Sequence, residues 1–334
     1  MSQLTDETGV LSTDVLIIGA GPAGLYGAYY AGFRGLTVTV MDVLPQLGGQ
    51  ISAMYPEKPI FDIAGFPSVR GRDLVDALVG QAEPYSPRYL LGHRATELTH
   101  DAHGMPVVRS DQGATVRART VVITGGVGTF TPRALPAGEE FLGRGLEYFV
   151  PDPSVHADRD VVVVGGGDSA FDWAALLAPI ARSVTLVHRT ARFRAHAASV
   201  EKVRTLGVKI VTDSEVSRLT GTDRVEQAEI RHRTSKEIRL VPAGTVVAAL
   251  GFLADLGPLQ HWGLDLQARK IAVDTHMATN LPRVFAAGDI TDYPGKVRLI
   301  SVGFGEAATA VNNAATVIDP GAALFPGHST EKEH

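Results

Sequence analysis

The chain has 334 residues, 45% apolar and 20% charged, with a formal net charge of −5 and no cysteine. The length allows two domains with full cores; the acidic balance argues against a general nucleic-acid binder, and no apolar run approaches the ~18 residues of a membrane span. Without cysteine, disulfides, thiolate metal sites and dithiol redox centres are excluded, so redox chemistry has to sit on a bound cofactor and no metal site is expected. The polar start MSQLTDETGV has no signal-peptide pattern, which makes the cytoplasm the expected compartment.

The first predicted element is a strand, Val15 to Ile18, apolar on both sides. It runs into Gly19-Ala20-Gly21-Pro22-Ala23-Gly24, a helix of small residues, and a second strand from Leu36 to Met41 that ends on Asp42. Gly19 makes the tight turn, Gly21 lets backbone approach a pyrophosphate, and Gly24 lets the helix pack closely on the strand. The first N–H groups of the helix then face the phosphates. Asp42 stands 18 residues past Gly24, near the ~20-residue offset at which a carboxylate meets a ribose 2′-hydroxyl. The Gly- and Pro-rich stretch LPQLGGQISAMYPEKPIFDIAGFP reads as a loop over a bound ligand, closing with a helix from about Gly71 to Glu83. Alternation between Ala95 and Arg119 predicts a small antiparallel meander. Thr120–Gly126 reads as a buried strand, and GTFTPRALPAGEEF as a connector that Pro132 and Pro136 keep irregular.

The opening pattern returns as VVVVGGGDSA, followed by a helix and the strand SVTLVH. Gly165 to His188 spans 23 residues, as does Gly19 to Asp42. The two units part at their ends: one closes on a carboxylate, the other on His188-Arg189 with Arg192 and Arg194 behind. A carboxylate accepts from a free 2′-hydroxyl, whereas a basic cluster suits a 2′-phosphate. The pattern implies two dinucleotide sites of opposite ribose preference, the second for NADP. Gly165, Gly167, Asp168 and Ser169 are its loop and helix start, and His188, Arg189 and Arg194 its ribose end. Residues 200–247 predict another meander and a strand, and 249–258 a second connector. VFAAGD reads as a buried strand ending at Gly288-Asp289, SVGFGEAATAVNNAATVI as a helix with an apolar face, and PGAALFPGHSTEKEH as a tail.

With these motifs the chain resembles, from about residue 12 to 318, the two-domain FAD–NADP oxidoreductases typified by small thioredoxin reductases. Those enzymes carry a CxxC after a GRGxxY stretch. Here GRGLEY ends at Tyr148, and Phe149-Val150-Pro151-Asp152 takes that place. LPQLGGQISAMYPEKPIFDIAGFP, GGGDSAFDWA, HRTARFRAH, LGPLQHWGLDL, GKVRLISVGFGEAATAVNNA and HST resemble the thiol-less branch more closely, the bacterial ferredoxin/flavodoxin–NADP reductases. Thr190 departs from that branch, where a second arginine is common.

The resemblance implies an α/β architecture of two nested three-layer dinucleotide-binding domains, each with a central parallel sheet and a small antiparallel meander. The expected division is FAD domain 1–126 and 251–318, NADPH domain 127–250, and a C-terminal extension 319–334 over the flavin. It also implies one non-covalent FAD per subunit, held at Ala23, Asp42, Gln50, Tyr55, Ala95, Phe130, Asp289 and Thr330. Tyr55 would stack on one flavin face, with His328 and Ser329 of a homodimer partner near the other; these three are the expected catalytic positions. The implied reaction takes hydride from NADPH and passes single electrons to ferredoxin or flavodoxin, with proline-bearing hinges at 131–136 and 249–258. Lys202, Arg204 and Lys209 are candidates for steering an acidic carrier. An NAD(P)H oxidase or diaphorase, and a non-catalytic nucleotide sensor, remain open alternatives on sequence grounds.

Overall fold

The computed structural model describes residues 9–126, 128–328 and 330. Its contacts divide the chain into two units, Met1–Thr129 with Ala254–His334, and an inserted Phe130–Leu253. Both crossings fall three residues later than the sequence pattern placed them.

In the first unit, β1 (Leu11–Ile18) leads through the glycine loop into α1 (Pro22–Phe33) and β2 (Val38–Asp42). Val15, Leu16 and Ile17 are fully buried, each worth roughly 1.5–3 kcal/mol relative to exposure. The sheet runs Arg88–Leu91, β2, β1 and then β3 (Thr115–Ile123), all parallel. Strand β3 changes neighbours along its length. Its first half pairs antiparallel with Pro106–Ser110, and its second half pairs parallel with the returning Val284–Ala286. The sequence carries the reason. VRAR alternates, as suits a strand with one wet face, while TVVI is apolar on both sides, as a covered parallel strand must be. The C-terminal segment is thereby stitched into the same sheet as the N-terminal one.

The second unit repeats the layout. The run DVVVV of β4 (Asp160–Val164) is buried on both faces and leads through GGG into α2 (Asp168–Leu177) and β5 (Ser183–Val187). The parallel sheet runs Leu146–Glu147, Thr245–Ala248, β4, β5, Lys209–Val211. A separate antiparallel meander, Ser214–Thr220, Gln227–His232 and Ile238–Pro242, sits beside it in sequence. The stretch expected to open as meander at residue 200 instead lies within a helix, Ala197–Thr205, started by His196 Nδ1 accepting from the Ala198 N–H. The chain closes in the first unit with α3 (Ile300–Ile318), whose small residues pack on α1. Among the described residues no helix is long and apolar enough to cross a membrane.

Candidate functional site

The first glycine loop is shaped by steric necessity. Gly19 has φ +114°, and a Cβ there would stand 2.7 Å from the Thr124 carbonyl oxygen. A Cβ on Gly24 would land on the Gly19 carbonyl oxygen. Thr124 Oγ1 donates to Gly19 O at 2.8 Å, fixing the turn from below. Gly21 differs: it caps α1 with extended backbone, and nothing of the protein lies within 4 Å of where its Cβ would be. The first turn of α1 carries no acidic residue and Gly21 offers no side-chain cap, so its N–H groups are left for an anion. The Gly48-Gly49 pair closes over this loop. Gly48 N donates to Ala20 O at 2.9 Å, and a Cβ on Gly49 would stand 2.9 Å from Gly21 Cα.

Asp42 ends β2 at 8% exposure. Its Oδ2 accepts the Ala20 N–H, and Oδ1 accepts the Leu44 N–H at 2.7 Å. Burial pushes its carboxyl above the usual range, against the pull of those two amides. Each oxygen has a lone pair beyond the one these amides use, so the carboxylate can still take a hydroxyl hydrogen bond. The room at Gly21, the N-terminus of α1 and this carboxylate fit the pyrophosphate and ribose of a flavin dinucleotide.

The returning segment meets the same loop. A Cβ on Gly288 would stand 3.3 Å from Ala23 Cβ, and one on Gly303 3.5 Å from it. Gly288, just before Asp289, is held by a buried pair that sequence reasoning missed. Glu306 and Lys296 are 5% and 4% exposed and form an ion pair. Glu306 Oε2 accepts the Gly288 N–H at 2.7 Å, while Lys296 Nζ donates to Gly288 O at 3.0 Å. Tyr293 OH donates to Glu306 at 2.5 Å, and burial and this carboxylate push the phenol up to about 12. A lone acid among small residues of an apolar helix was the available signal, because such a group has to find a cation.

Gln50 opens the short helix Gln50–Met54, with Nε2 3.2 Å from the Cβ position of Gly126. Tyr55 ends that helix. Burial raises its phenol pKa, with Asp289 and Asp62 acting in the same direction, so Tyr55 and Asp289 share one neighbourhood. Ala95 is buried in the sheet core. Ser329 and the Phe130 side chain lie outside the described residues. His328 stacks edge-on against Phe325, ring centroids 5.1 Å apart, and Thr330 is exposed. Arg34, at the C-terminal end of α1, donates to Ala323 O at 2.7 Å, Leu324 O at 2.8 Å and Asn312 Oδ1 at 2.5 Å. The tail is thus rooted at the opposite end of α1 from Gly21.

In the second loop Gly165 (φ +156°) has no room for a side chain beside Ala249 O, and Gly167 caps α2 facing open space. Here the loop is pinned by the residues just after β5. A Cβ on Gly166 would stand 2.3 Å from His188 Cε1, and Arg194 N donates to Gly166 O at 2.8 Å. Phe193 leans on the same ring, centroids 5.6 Å apart. Asp168 Oδ1 accepts the His196 N–H at 2.9 Å, and Ser169 is exposed beside it. Burial lowers the His188 pKa, and Arg189 and Arg194 add to the effect, so the imidazole is neutral at pH 7. Thr190 turns inward, its Oγ1 3.2 Å from His188 Nε2 and donating to Arg192 O at 3.0 Å. Arg189 and Arg194 are exposed. Lys202 and Arg204 lie in the last turn of Ala197–Thr205, with Arg204 3.6 Å from Glu201, and Lys209 opens the next strand.

Known proteins resemble this chain over nearly its whole length. A ferredoxin–NADP reductase of Frankia alni is 64% identical over 316 residues, which are 95% of this chain and 98% of that one. A ferredoxin–NADP reductase of Thermus thermophilus is 46% identical over 326 residues, 96% and 97% of the two chains. The solved thioredoxin reductase of T. acidophilum superposes with a TM-score of 0.77 at 25% identity, covering 91% of this chain and 98% of its own. The family described as pyridine nucleotide-disulphide oxidoreductase matches residues 13–314, a span that takes in both glycine loops and the returning Gly288 segment, and the chain belongs to it.

Proposed function

We propose that this protein is an FAD-dependent ferredoxin–NADP reductase. The observation that carries the reading is the pairing, in one cysteine-free chain, of a cradle closed by a carboxylate with a cradle closed by arginines. FAD bound in the first cradle supplies the link between a two-electron hydride donor and a one-electron carrier. The chain's own residues bind and orient. The N-terminus of α1 and Gly21 take the pyrophosphate, and Asp42 takes a ribose hydroxyl. Glu306 and Lys296 hold Gly288 so that Asp289 faces the ligand, and Tyr55 covers it. Gly167 and α2 take the pyrophosphate of NADPH, and Arg189 and Arg194 its 2′-phosphate. Alignment of this kind is worth up to ~7–11 kcal/mol without an acid–base dyad.

The electron acceptor is a ferredoxin or a flavodoxin, steered by Lys202, Arg204 and Lys209. The working form is a cytoplasmic homodimer, in which the tail rooted at Arg34 brings His328, Ser329 and Thr330 to the partner's flavin. The 12 residues of α1 set that root about 18 Å from the chain's own glycine loop. Anaerobic titration of the purified yellow protein with NADPH and NADH, followed by oxidised ferredoxin, tests the whole reading. NADPH should bleach the flavin at lower concentration than NADH, and ferredoxin should restore the colour faster than air does. A flavin that NADPH does not bleach would reduce the protein to a nucleotide sensor, and faster recovery in air would make it an oxidase.

A further inference from the structure

Thr190 leaves a gap in the phosphate end of the second cradle: its side chain is spent on His188 and the Arg192 carbonyl, and the His188 ring lies on Gly166. Arg189 and Arg194, with Arg192 between them, are the exposed cations of the stretch after β5. A further one arrives from elsewhere in the unit. The meander strands Gln227–His232 and Ile238–Pro242 are joined by a tight turn, closed by His232 N donating to Glu237 O at 2.8 Å. The turn is carried to the end of β5 by main-chain bonds. Arg233 N donates to Asp213 O at 2.8 Å, and Ser214 N donates to His188 O at 3.1 Å. Arg233 Nη1 then donates to Arg189 O at 3.1 Å. Lys236 Nζ donates to Arg233 O at 2.6 Å and braces the turn from behind. Of the nearby acids, Glu215 is paired with Arg231 at 2.6 Å, and Asp213 lies on the His188 side of the turn.

Arg233 is exposed, and the bond to Arg189 O uses one of the five N–H donors of its guanidinium. A phosphate dianion is met best by such planar, bidentate forks. We propose that Arg233 is a specificity-determining residue of the second cradle, binding the 2′-phosphate of NADPH together with Arg189 and Arg194 in the place that Thr190 leaves unfilled. The proposal rests on reading that cradle as the NADPH site. The turn at 232–237 thereby brings a cation from a distant part of the sequence to the end of β5.

The test is calorimetric binding of 2′,5′-ADP and of 5′-AMP to the FAD-loaded full chain and to Arg233→Gln, Arg189→Gln and Arg194→Gln. Glutamine keeps a donor for Arg189 O and removes the charge. Arg233→Gln should weaken 2′,5′-ADP about tenfold, leave 5′-AMP unchanged, and make the 2′,5′-ADP affinity less sensitive to salt. Equal weakening of both ligands would mean that Arg233 only staples the turn, and would overturn the proposal. So would an unchanged ratio in Arg233→Gln while Arg189→Gln and Arg194→Gln lower it, although the NADPH site itself would then stand. A ratio near one in the wild type, untouched by all three variants, would remove the NADPH site and this proposal with it.

Discussion

The two cradles share a strand–glycine–helix–strand layout, and in both a residue at the end of the second strand or just past it reaches back to the middle of its own loop. In the first, Asp42 accepts the N–H of Ala20. In the second, the His188 ring lies against Gly166. Ala20 and Gly166 hold the same position, one residue after the turn glycine. The difference accounts for GAG in one loop and GGG in the other. A carboxylate tethers through the backbone and leaves space for the buried methyl of Ala20; an imidazole fills that space, so only glycine fits. It also moves the charge. In the proposed site Asp42 would be tether and ribose partner in one group, whereas His188 is a tether without charge and the cations stand further out on Arg189, Arg194 and the meander turn.

The largest effects should come from breaking the first loop. Gly24→Ala drives a methyl onto the Gly19 carbonyl and to within 2.7 Å of Thr124 Oγ1, and neither can retreat without moving β1 or β3. We expect a loss of about 3 kcal/mol and protein purified without its yellow colour. Gly21→Ala meets no protein atom within 4 Å, and its φ of −72° suits alanine. Its apo-protein should keep its stability within ~0.5 kcal/mol and still bind FAD at least about tenfold more weakly. Urea unfolding and fluorescence titration of apo-protein with FAD measure the two. Wild-type FAD affinity in Gly21→Ala would break the first half of the comparison, since nothing would then approach that backbone closely.

A smaller, paired effect sharpens the second half. Gly166→Ala should displace the His188 ring and weaken NADP binding by about tenfold, ~1.4 kcal/mol. His188→Ala alone should cost less. The double variant should recover part of the loss, because the new methyl occupies space the ring has left. A coupling energy of about 1 kcal/mol in this cycle marks the tether; additive effects would deny it.

The glycines were legible because each answers a local steric demand that spacing alone expresses, and the all-apolar runs of β1 and β4 announced covered parallel strands. What escaped is long-range. Arg233 meets Arg189 across 44 positions, through a hairpin register that alternation does not determine. Lys296 and Glu306 are ten positions apart, but their shared target, Gly288, is defined only once the returning strand has joined β3. The Arg34 clamp on Leu324 spans 290 positions, and composition had marked that stretch as a frayed end. Residues 197–205 were hidden for a different reason: their start signal is a histidine cap, His196, outside the Ser, Thr, Asp and Asn set that usually announces a helix.

The smallest expected effect is in pH, and its sign separates the cradles. Burial places the folded His188 below its ordinary 6.5, with Arg189 and Arg194 adding to the shift against the Arg192 carbonyl and Asp213. The unfolded chain therefore binds this proton more readily than the folded one. The contribution of His188 to stability is complete above pH 6.5 and is lost as pH falls through the lower, folded value. Asp42, raised by burial from 3.8, has the opposite slope: its contribution is complete below 3.8 and is lost as pH rises through the folded value. Melting temperatures of wild type and His188→Gln, followed between about pH 7.5 and 5.5, isolate the first slope. The wild type should lose a few degrees more than the variant over that range, because glutamine keeps a polar group on the loop and has no proton to gain. Parallel curves would mean that the imidazole carries its proton equally well in both states, and that it does not lie sealed against Gly166.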